Sequence, residues 1–559
     1  MKKKGFLRNT IIMFFAMFIT KGLGAVLKIP LGNILGGTGM GYFTTAYSIF
    51  TPVLAFACSG IPTIVTQTAA QYSASGKLAG LVRLRKSAVL LSVLIGLAGT
   101  AVIYICAVPF ACFVANSPES LPSVLMIAPA VLFCSVTAVY RGYFEGLSDM
   151  LPTATSQVIE AIVKAAVGIG LSYFVYINGV HYFGSAEKAL PYAAAAAVIG
   201  VSISELCGTI YIVLRGRRRS DSFREYAEPV ERGELFRLMR DIFVRSLPVA
   251  MGAVAANLIA FTDMLTVSNC INISFEHFPQ IFLENSALSA AAAQSADIGN
   301  FLYGSYSGMV LSVYMLASAL TGLISRCSLP RLVCAVETKD SAALNSAEKL
   351  MFKGTAFISV PVSFVMAVLS EPILSLLYPY RATEAAVGVV PLQILSLGSI
   401  FAGIGGALFI LFQAYGDFGT PVKITLISGV VKLLLNVVLL LIPFVNISGA
   451  ALSAVAANAF ATVYACREIK RKFGLSVSPF KAAFPSLIAG SVCAAAAYFC
   501  YNGLALKFSS VVSVLGTAAV GGIVYIFLLF LADSRELTAV LKSFSGKSRK
   551  SIVKSDKIV

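Results

Sequence analysis

Fourteen separate stretches of this chain are each about 20 residues long and almost wholly apolar, which is the length an α-helix needs to cross roughly 30 Å of hydrocarbon. They lie near 9–31, 41–70, 87–112, 121–143, 152–177, 190–214, 246–269, 298–325, 351–378, 386–413, 420–442, 447–467, 481–502 and 509–532. Lipid offers the backbone no hydrogen-bond partners, so each run must be a helix that satisfies its own amides. Composition agrees: 58% of the 559 residues are hydrophobic and 12% are charged, with a mean hydropathy of +0.85. Soluble domains carry about twice that share of charge. The expectation is an all-α polytopic membrane protein of about fourteen transmembrane helices, without a large soluble domain.

Loop charge orients it. Of 43 Lys and Arg residues, Lys28, Lys188, Arg381 and Lys507 fall on one side, and Lys21, Lys164 and Lys432 fall inside spans. All the others collect on the opposite side, which the positive-inside rule makes cytoplasmic. Both termini are then cytoplasmic, and the basic start MKKKGFLRNT opens an uncleaved first helix, because the apolar run behind it is too long for a signal peptide and has no A-x-A site. The net charge of +17 is spread over helix ends and is not a nucleic-acid-binding patch. The eleven cysteines form no CxxC pair and read as small buried residues. No cofactor or metal is expected, and no Walker A, GxSxG or HExxH sequence points to an enzyme.

The chain repeats itself. YRGYFEGLSDMLPTATSQVIEAIVKAAVG (140–168) and LFQAYGDFGTPVKITLISGVVKLLLN (411–436) each carry an aromatic-Gly-acid turn, a helix-opening proline and a mid-helix lysine. Two six-helix lobes of like orientation follow: 1–214 and 246–470, joined by a basic linker at 215–245, with two further helices at 471–532 and a basic tail at 533–559. Pro30, Pro52 and Pro62, with Gly22, Gly24 and Gly60, mark the first two spans as bent.

Charges within spans face a cavity or a partner. Lys21 and Lys28 are seven residues apart, so they share one face of helix 1 about 10 Å apart. Two cations so placed suit an elongated anion such as the diphosphate of a lipid carrier, although Lys28 also lies near enough to the outer end to snorkel to headgroups. Gln157, Glu160 and Lys164 share a face of helix 5, where Glu160 and Lys164 have the favourable i,i+4 order for an ion pair. Lys432 and Asn436 make the matching face on helix 11. Glu205 has no partner on its own helix and would pair with Lys164 or Lys21, or titrate. Asn257 and Asp263 on helix 7, with Glu160 and Glu205, are candidates for coupling to a proton or sodium gradient or to the membrane potential, or are satisfied by neighbours. Arg141 and Glu145 read as parts of a structural turn on the inner side.

The stretches KGLGAVLKIPLGNILGGTGMGYF (21–43), YRGYFEGLSDMLPTATSQVIEAIVK (140–164), LYGSYSGMVLSVYMLASALTGLISRCSLPRL (302–332), QAYGDFGTPVK and ISGAALSAVAANAF, in this order, resemble the polysaccharide transporter branch of the multidrug/oligosaccharidyl-lipid/polysaccharide flippase superfamily, and within it the stage V sporulation protein B group. The resemblance covers the whole chain. It implies a V-shaped pair of lobes that alternate between inward-open and outward-open states in a bacterial cell membrane. The implied substrate is an undecaprenyl-linked sugar such as a peptidoglycan precursor, with cell-wall synthesis proteins as partners, and the alternative is a cation-coupled multidrug antiporter. Lys21 stands where related lipid II flippases carry an arginine. Their helix 2 arginine has no match, since 42–65 holds no charge; the resemblance thus leaves open a different lipid-linked oligosaccharide or a different way of holding the diphosphate. Lys21→Ala is expected to abolish complementation of a strain lacking the protein without lowering its membrane level, and Lys28→Ala to do less. Normal complementation by Lys21→Ala removes that lysine from the site.

Overall fold

The computed structural model describes residues 3–221, 232–474 and 477–532, with the side chains of 3–19 and of Lys21 among those left out. The middle of the basic linker and the C-terminal tail therefore lie outside the described residues. Everything described is helix and short connection. In chain order the helices are α1 (Lys3–Ala74), α2 (Leu78–Pro109), α3 (Leu121–Gly146), α4 (Leu151–Phe183), α5 (Ala186–Asp221) and α6 (Arg232–His277), then the short α7 (Pro279–Glu284), α8 (Ser286–Gln294) and α9 (Ile298–Tyr303). These are followed by α10 (Leu311–Glu337), α11 (Ser341–Val368), α12 (Ser370–Leu377), α13 (Ala382–Ala414), α14 (Gly419–Leu440), α15 (Ser448–Lys472), α16 (Pro479–Ala505) and α17 (Ser510–Ala532).

Among the described residues, twelve helical runs are long and apolar enough to cross a membrane. The first of these covers 52 residues, about 78 Å at 1.5 Å per residue, and so holds two crossings. The stretch 298–337, divided by a π-helical turn at Gly304–Val310, supplies the fourteenth. No loop forms at 32–40, between the first two expected spans. These residues continue the helix, and the chain turns the corner at one point, Gly36, with φ 63° and ψ −169°. That backbone conformation is open to glycine and closed to residues with a Cβ. The bend thus falls at Gly36, and Pro30, Pro52 and Pro62 lie within helix.

Close packing divides the chain into two units. One comprises Met1–Ser312 with Asn436–Ile447, the other Val313–Leu435 with Ser448–Val559. The first unit takes in α6 to α9, so the limit of close packing is not the limit of the sequence repeat. The lobes read from the repeat remain a proposal about which parts move.

Within the first unit, α1 is held by glycines. A Cβ on Gly37 would meet the Ser305 hydroxyl at 2.6 Å and the Phe301 carbonyl at 2.8 Å. One on Gly304 would collide with the backbone of Gly37 and Gly41, and one on Gly60 with the Ser246 carbonyl. Asn300 donates its amide to the Thr38 carbonyl at 3.1 Å, and the Thr38 and Ser295 hydroxyls lie 3.2 Å apart. Both chains are irregular where they meet, α1 at Gly36 and its neighbour in the π turn, and such turns concentrate at functional positions.

The second unit has its own core, where Phe352, Leu408, Phe412 and Ile469 are wholly buried. At the turn before α14, Asp417 accepts from the Thr420 amide at 3.0 Å and from the Lys472 ammonium at 2.8 Å. Burial alone would raise the Asp417 carboxyl, but the hydrogen bonds from Lys472 and Thr420 and the Lys472 charge outweigh it and hold it at about 2. The repeat is visible here in the backbone. Asp417 donates its amide to the Phe412 carbonyl at 3.0 Å, and Asp149 donates to Phe144 at 2.9 Å. The preceding residue has positive φ in both turns, 76° at Gly416 and 59° at Ser148. The same interval along the chain relates Lys164 to Lys432.

Gly304→Ala is expected to destabilise the first unit by about 1–3 kcal/mol, because its neighbours at the crossing are backbone and cannot swing away. Gly503→Ala, with open space around it, is expected to leave the thermal midpoint of the detergent-purified protein unchanged or slightly raised. Equal midpoints for Gly304→Ala and wild type would show that the crossing has slack.

Candidate functional site

Three helices of the first unit bring four charges together. α4 opens on a proline in its first turn and then places Ser156, Glu160 and Lys164 four residues apart, on one face. α3 contributes Arg141 and α5 contributes Glu205. Arg141 donates from Nε to the Ser156 hydroxyl at 3.0 Å and from Nη2 to Glu160 Oε1 at 2.6 Å. Lys164 Nζ lies 3.3 Å from Glu205 Oε1.

The i,i+4 pair between Glu160 and Lys164 that the sequence favours is therefore not made; each residue takes a partner from another helix. One reason is geometric. The guanidinium is a planar fork of donors, and from α3 it reaches Ser156 and Glu160 together. The other reason is helix approach. A Cβ on Gly200 would collide with the backbone of Gly168, so α4 and α5 run in contact just beyond Lys164 and bring Glu205 within its reach. Gly208 leaves the space that Glu160 fills, since a Cβ there would strike the carboxylate. Hydroxyls stitch the same three helices: Thr137 with Thr209 at 2.8 Å, Thr209 to the Phe133 carbonyl at 3.0 Å, and Thr155 to Tyr211 at 2.6 Å.

In each ion pair the cation is the more exposed member. Side-chain exposure is 20% for Arg141 against 10% for Glu160, and 27% for Lys164 against 11% for Glu205. Gln157, on the same helix, has a buried carbonyl oxygen with no hydrogen-bond partner among the described residues.

The other candidates are dispersed. Lys28 is half-buried on α1, and the side chain of Lys21 lies outside the described residues. Asn257 gives its amide to the Ala253 carbonyl at 2.9 Å and does not meet Asp263. Asp263 is buried and accepts instead from Asn436 at 2.9 Å, whose amide also reaches the Thr266 hydroxyl at 2.9 Å. Lys432 is buried in the second unit, while Asn436, one turn along the same helix, belongs to the first.

Sequence reasoning missed Arg141 and Thr266, and it placed Asn436 with Lys432 where the structure pairs it with Asp263. Arg141 read as part of a turn, yet it stands within α3, and the repeat could not flag it, because the matching position is Phe409. Two carboxylates, Glu160 and Glu205, within reach of the one lysine Lys164 were the available signal that a second cation must come from elsewhere.

Residues 6–332, more than half of the chain, match the polysaccharide biosynthesis protein family. The chain belongs to that family. Residues 277–521 also match the lipid II flippase MurJ family. The stage V sporulation protein B of Bacillus subtilis (strain 168) is 22% identical over 539 residues, which is 95% of this chain and 96% of that protein. The lipid II flippase MurJ of the same organism is 22% identical over 481 residues, covering 84% of this chain and 83% of the relative. Among solved structures, a lipid II flippase MurJ in an inward closed conformation superposes with a TM-score of 0.66 at 17% identity, covering 93% of this chain and 98% of that one. An inward-facing multidrug resistance MATE family transporter of the MOP superfamily gives 0.61 at 12% identity, covering 82% and 96%. These likenesses establish the fold as that of the MurJ and MATE transporters.

Removing one partner of a buried pair strands the other charge, at a cost of about 3–5 kcal/mol. Glu160→Ala is thus expected to destabilise the protein strongly, and Arg141→Met with Glu160→Leu to recover most of the loss in thermal unfolding. A double variant as unstable as the sum of the two single ones would show that the pair does not interact.

Proposed function

We propose that this protein is a flippase that carries an undecaprenyl-diphosphate-linked oligosaccharide or peptidoglycan precursor from the inner to the outer leaflet by alternating access. The product would serve cell-wall, spore-cortex or surface polysaccharide synthesis. The observation that carries the reading is that one chain matches the polysaccharide family over 6–332 and the lipid II flippase family over 277–521. A full-length relative named for a sporulation stage supports the cell-envelope setting. Moving a lipid carrier between leaflets makes and breaks no covalent bond, so the protein acts as a transporter and not as an enzyme. It resides in a bacterial cell membrane with both termini cytoplasmic, a topology the distribution of Lys and Arg supports. Cell-wall synthesis proteins are its proposed partners.

Lys21, Lys28, Gln157, Lys164 and Lys432 are proposed to receive the diphosphate and sugar. Glu160, Glu205, Asn257 and Asp263 are proposed to couple transport to a proton or sodium gradient or to the membrane potential. A multidrug antiporter is the lesser reading. It rests on fold likeness alone, and an exporter of cationic drugs calls for exposed acids, whereas Glu160 and Glu205 sit behind cations.

The test is reconstitution into liposomes with a fluorescent undecaprenyl-diphosphate-linked sugar in one leaflet and a quenching reagent outside. The expected outcome is protein-dependent, gradient-stimulated loss of protection, with no transport of a cationic dye. Dye export without movement of the lipid-linked sugar would replace the flippase by the antiporter.

A further inference from the structure

Buried ion pairs are poor devices for stability, because removing two charges from water costs about as much as their attraction returns. Two such pairs side by side in one helix trio call for another explanation. Their geometry supplies one. In both pairs the cation is the more accessible member, at 20% and 27% against 10% and 11%, and the carboxylates lie deeper, one in the space left by Gly208 and the other against α4. An anion arriving from outside the cluster meets Arg141 and Lys164 first. Arg141 is anchored at Glu160, one helical turn from Lys164, so the two cations are offset by roughly 6 Å along α4, a spacing two adjacent phosphates can bridge.

We propose that Arg141 and Lys164 form a two-point binding rail for a lipid-linked diphosphate, and that Glu160 and Glu205 occupy this rail in the unloaded protein and take up protons when the diphosphate displaces them. This rests on the flippase reading and adds to it a residue, Arg141, and a way in which substrate and proton are linked.

The exchange balances. The diphosphate oxygens replace the carboxylate oxygens on the guanidinium and ammonium groups, and each displaced carboxylate accepts one proton from the aqueous side. A carboxylate stripped of its partner in this setting would otherwise remain a lone buried charge. The groups facing the pair are known on each helix. Tyr47 and Cys58 approach from α1, Cys134 lies near Glu205 from α3, and the four charged residues face one another across α3, α4 and α5. Among these, Glu160 and Glu205 are the acids whose ordinary range lies below neutrality, which makes them the proton acceptors. Lys432, at the position corresponding to Lys164, has Ser428 where the first repeat has Glu160.

The full chain in lipid nanodiscs is titrated with undecaprenyl diphosphate, with undecaprenyl monophosphate and with phosphatidylglycerol, by calorimetry in buffers of different ionisation enthalpy between pH 6 and 8. The expected result is selective binding of the diphosphate with net proton uptake, and affinity that falls as pH rises by up to about tenfold per pH unit for each proton taken up. The Glu160→Gln and Glu205→Gln double variant is expected to bind more tightly with no pH dependence, and Arg141→Gln to bind more weakly at every pH. Selective diphosphate binding by the wild type without proton uptake would overturn the inference and leave the flippase standing. No preference for the diphosphate over phosphatidylglycerol would overturn both. The wild-type measurement decides the matter even if a variant does not fold.

Discussion

A charge placed in hydrocarbon must find an opposite charge or a ring of hydrogen bonds, because no water is there to solvate it. That requirement organises the first packing unit. Arg141, Glu160, Lys164 and Glu205 come from three helices, and all four are satisfied only when those helices stand in one arrangement. The arrangement is permitted by small residues. Gly168 and Gly200 let α4 and α5 touch, and Gly208 makes room for the Glu160 carboxylate. Apolar packing among helices is nearly indifferent in lipid, since the tails are as apolar as the side chains. The ion pairs, the hydroxyl bridges and the glycine contacts therefore carry the specificity of the trio.

The same logic is applied with backbone in place of charge where α1 turns. Gly36 takes a conformation that only glycine adopts readily, Gly37, Gly41 and Gly304 allow main chain to lie on main chain, and Asn300 and Thr38 add side-chain bonds. Large apolar side chains are buried around the same crossing, among them Leu35, Met40, Phe43, Phe301 and Tyr306. The cluster of Asp263, Asn436 and Thr266 ties α6 to the end of α14 within the same unit, so one unit holds the backbone crossing, this polar tie and both buried ion pairs.

Much of this was legible in the residues. Helix number followed from the length of apolar runs. The repeat followed from two matching turns, later seen to share their hydrogen bonds and their positive-φ residue. Glu160, Lys164 and Glu205 stand out in the sequence as charges within apolar spans. Their pairing was not legible. Spacing along one helix favoured Glu160 with Lys164, because periodicity reports only which residues share a face. Arg141 was hidden by its place near a turn and by a phenylalanine at the matching position of the repeat.

The sequence by itself determined that this chain is a bundle of about fourteen membrane helices with charges inside the spans, because hydrocarbon thickness and charge solvation act on each segment alone. Only the tertiary structure decided which charges meet, where the first long helix bends and that cations stand in front of carboxylates. Those outcomes depend on how closely neighbouring helices approach, and that distance is set by glycines such as Gly200 and Gly208 acting on residues far away in the chain.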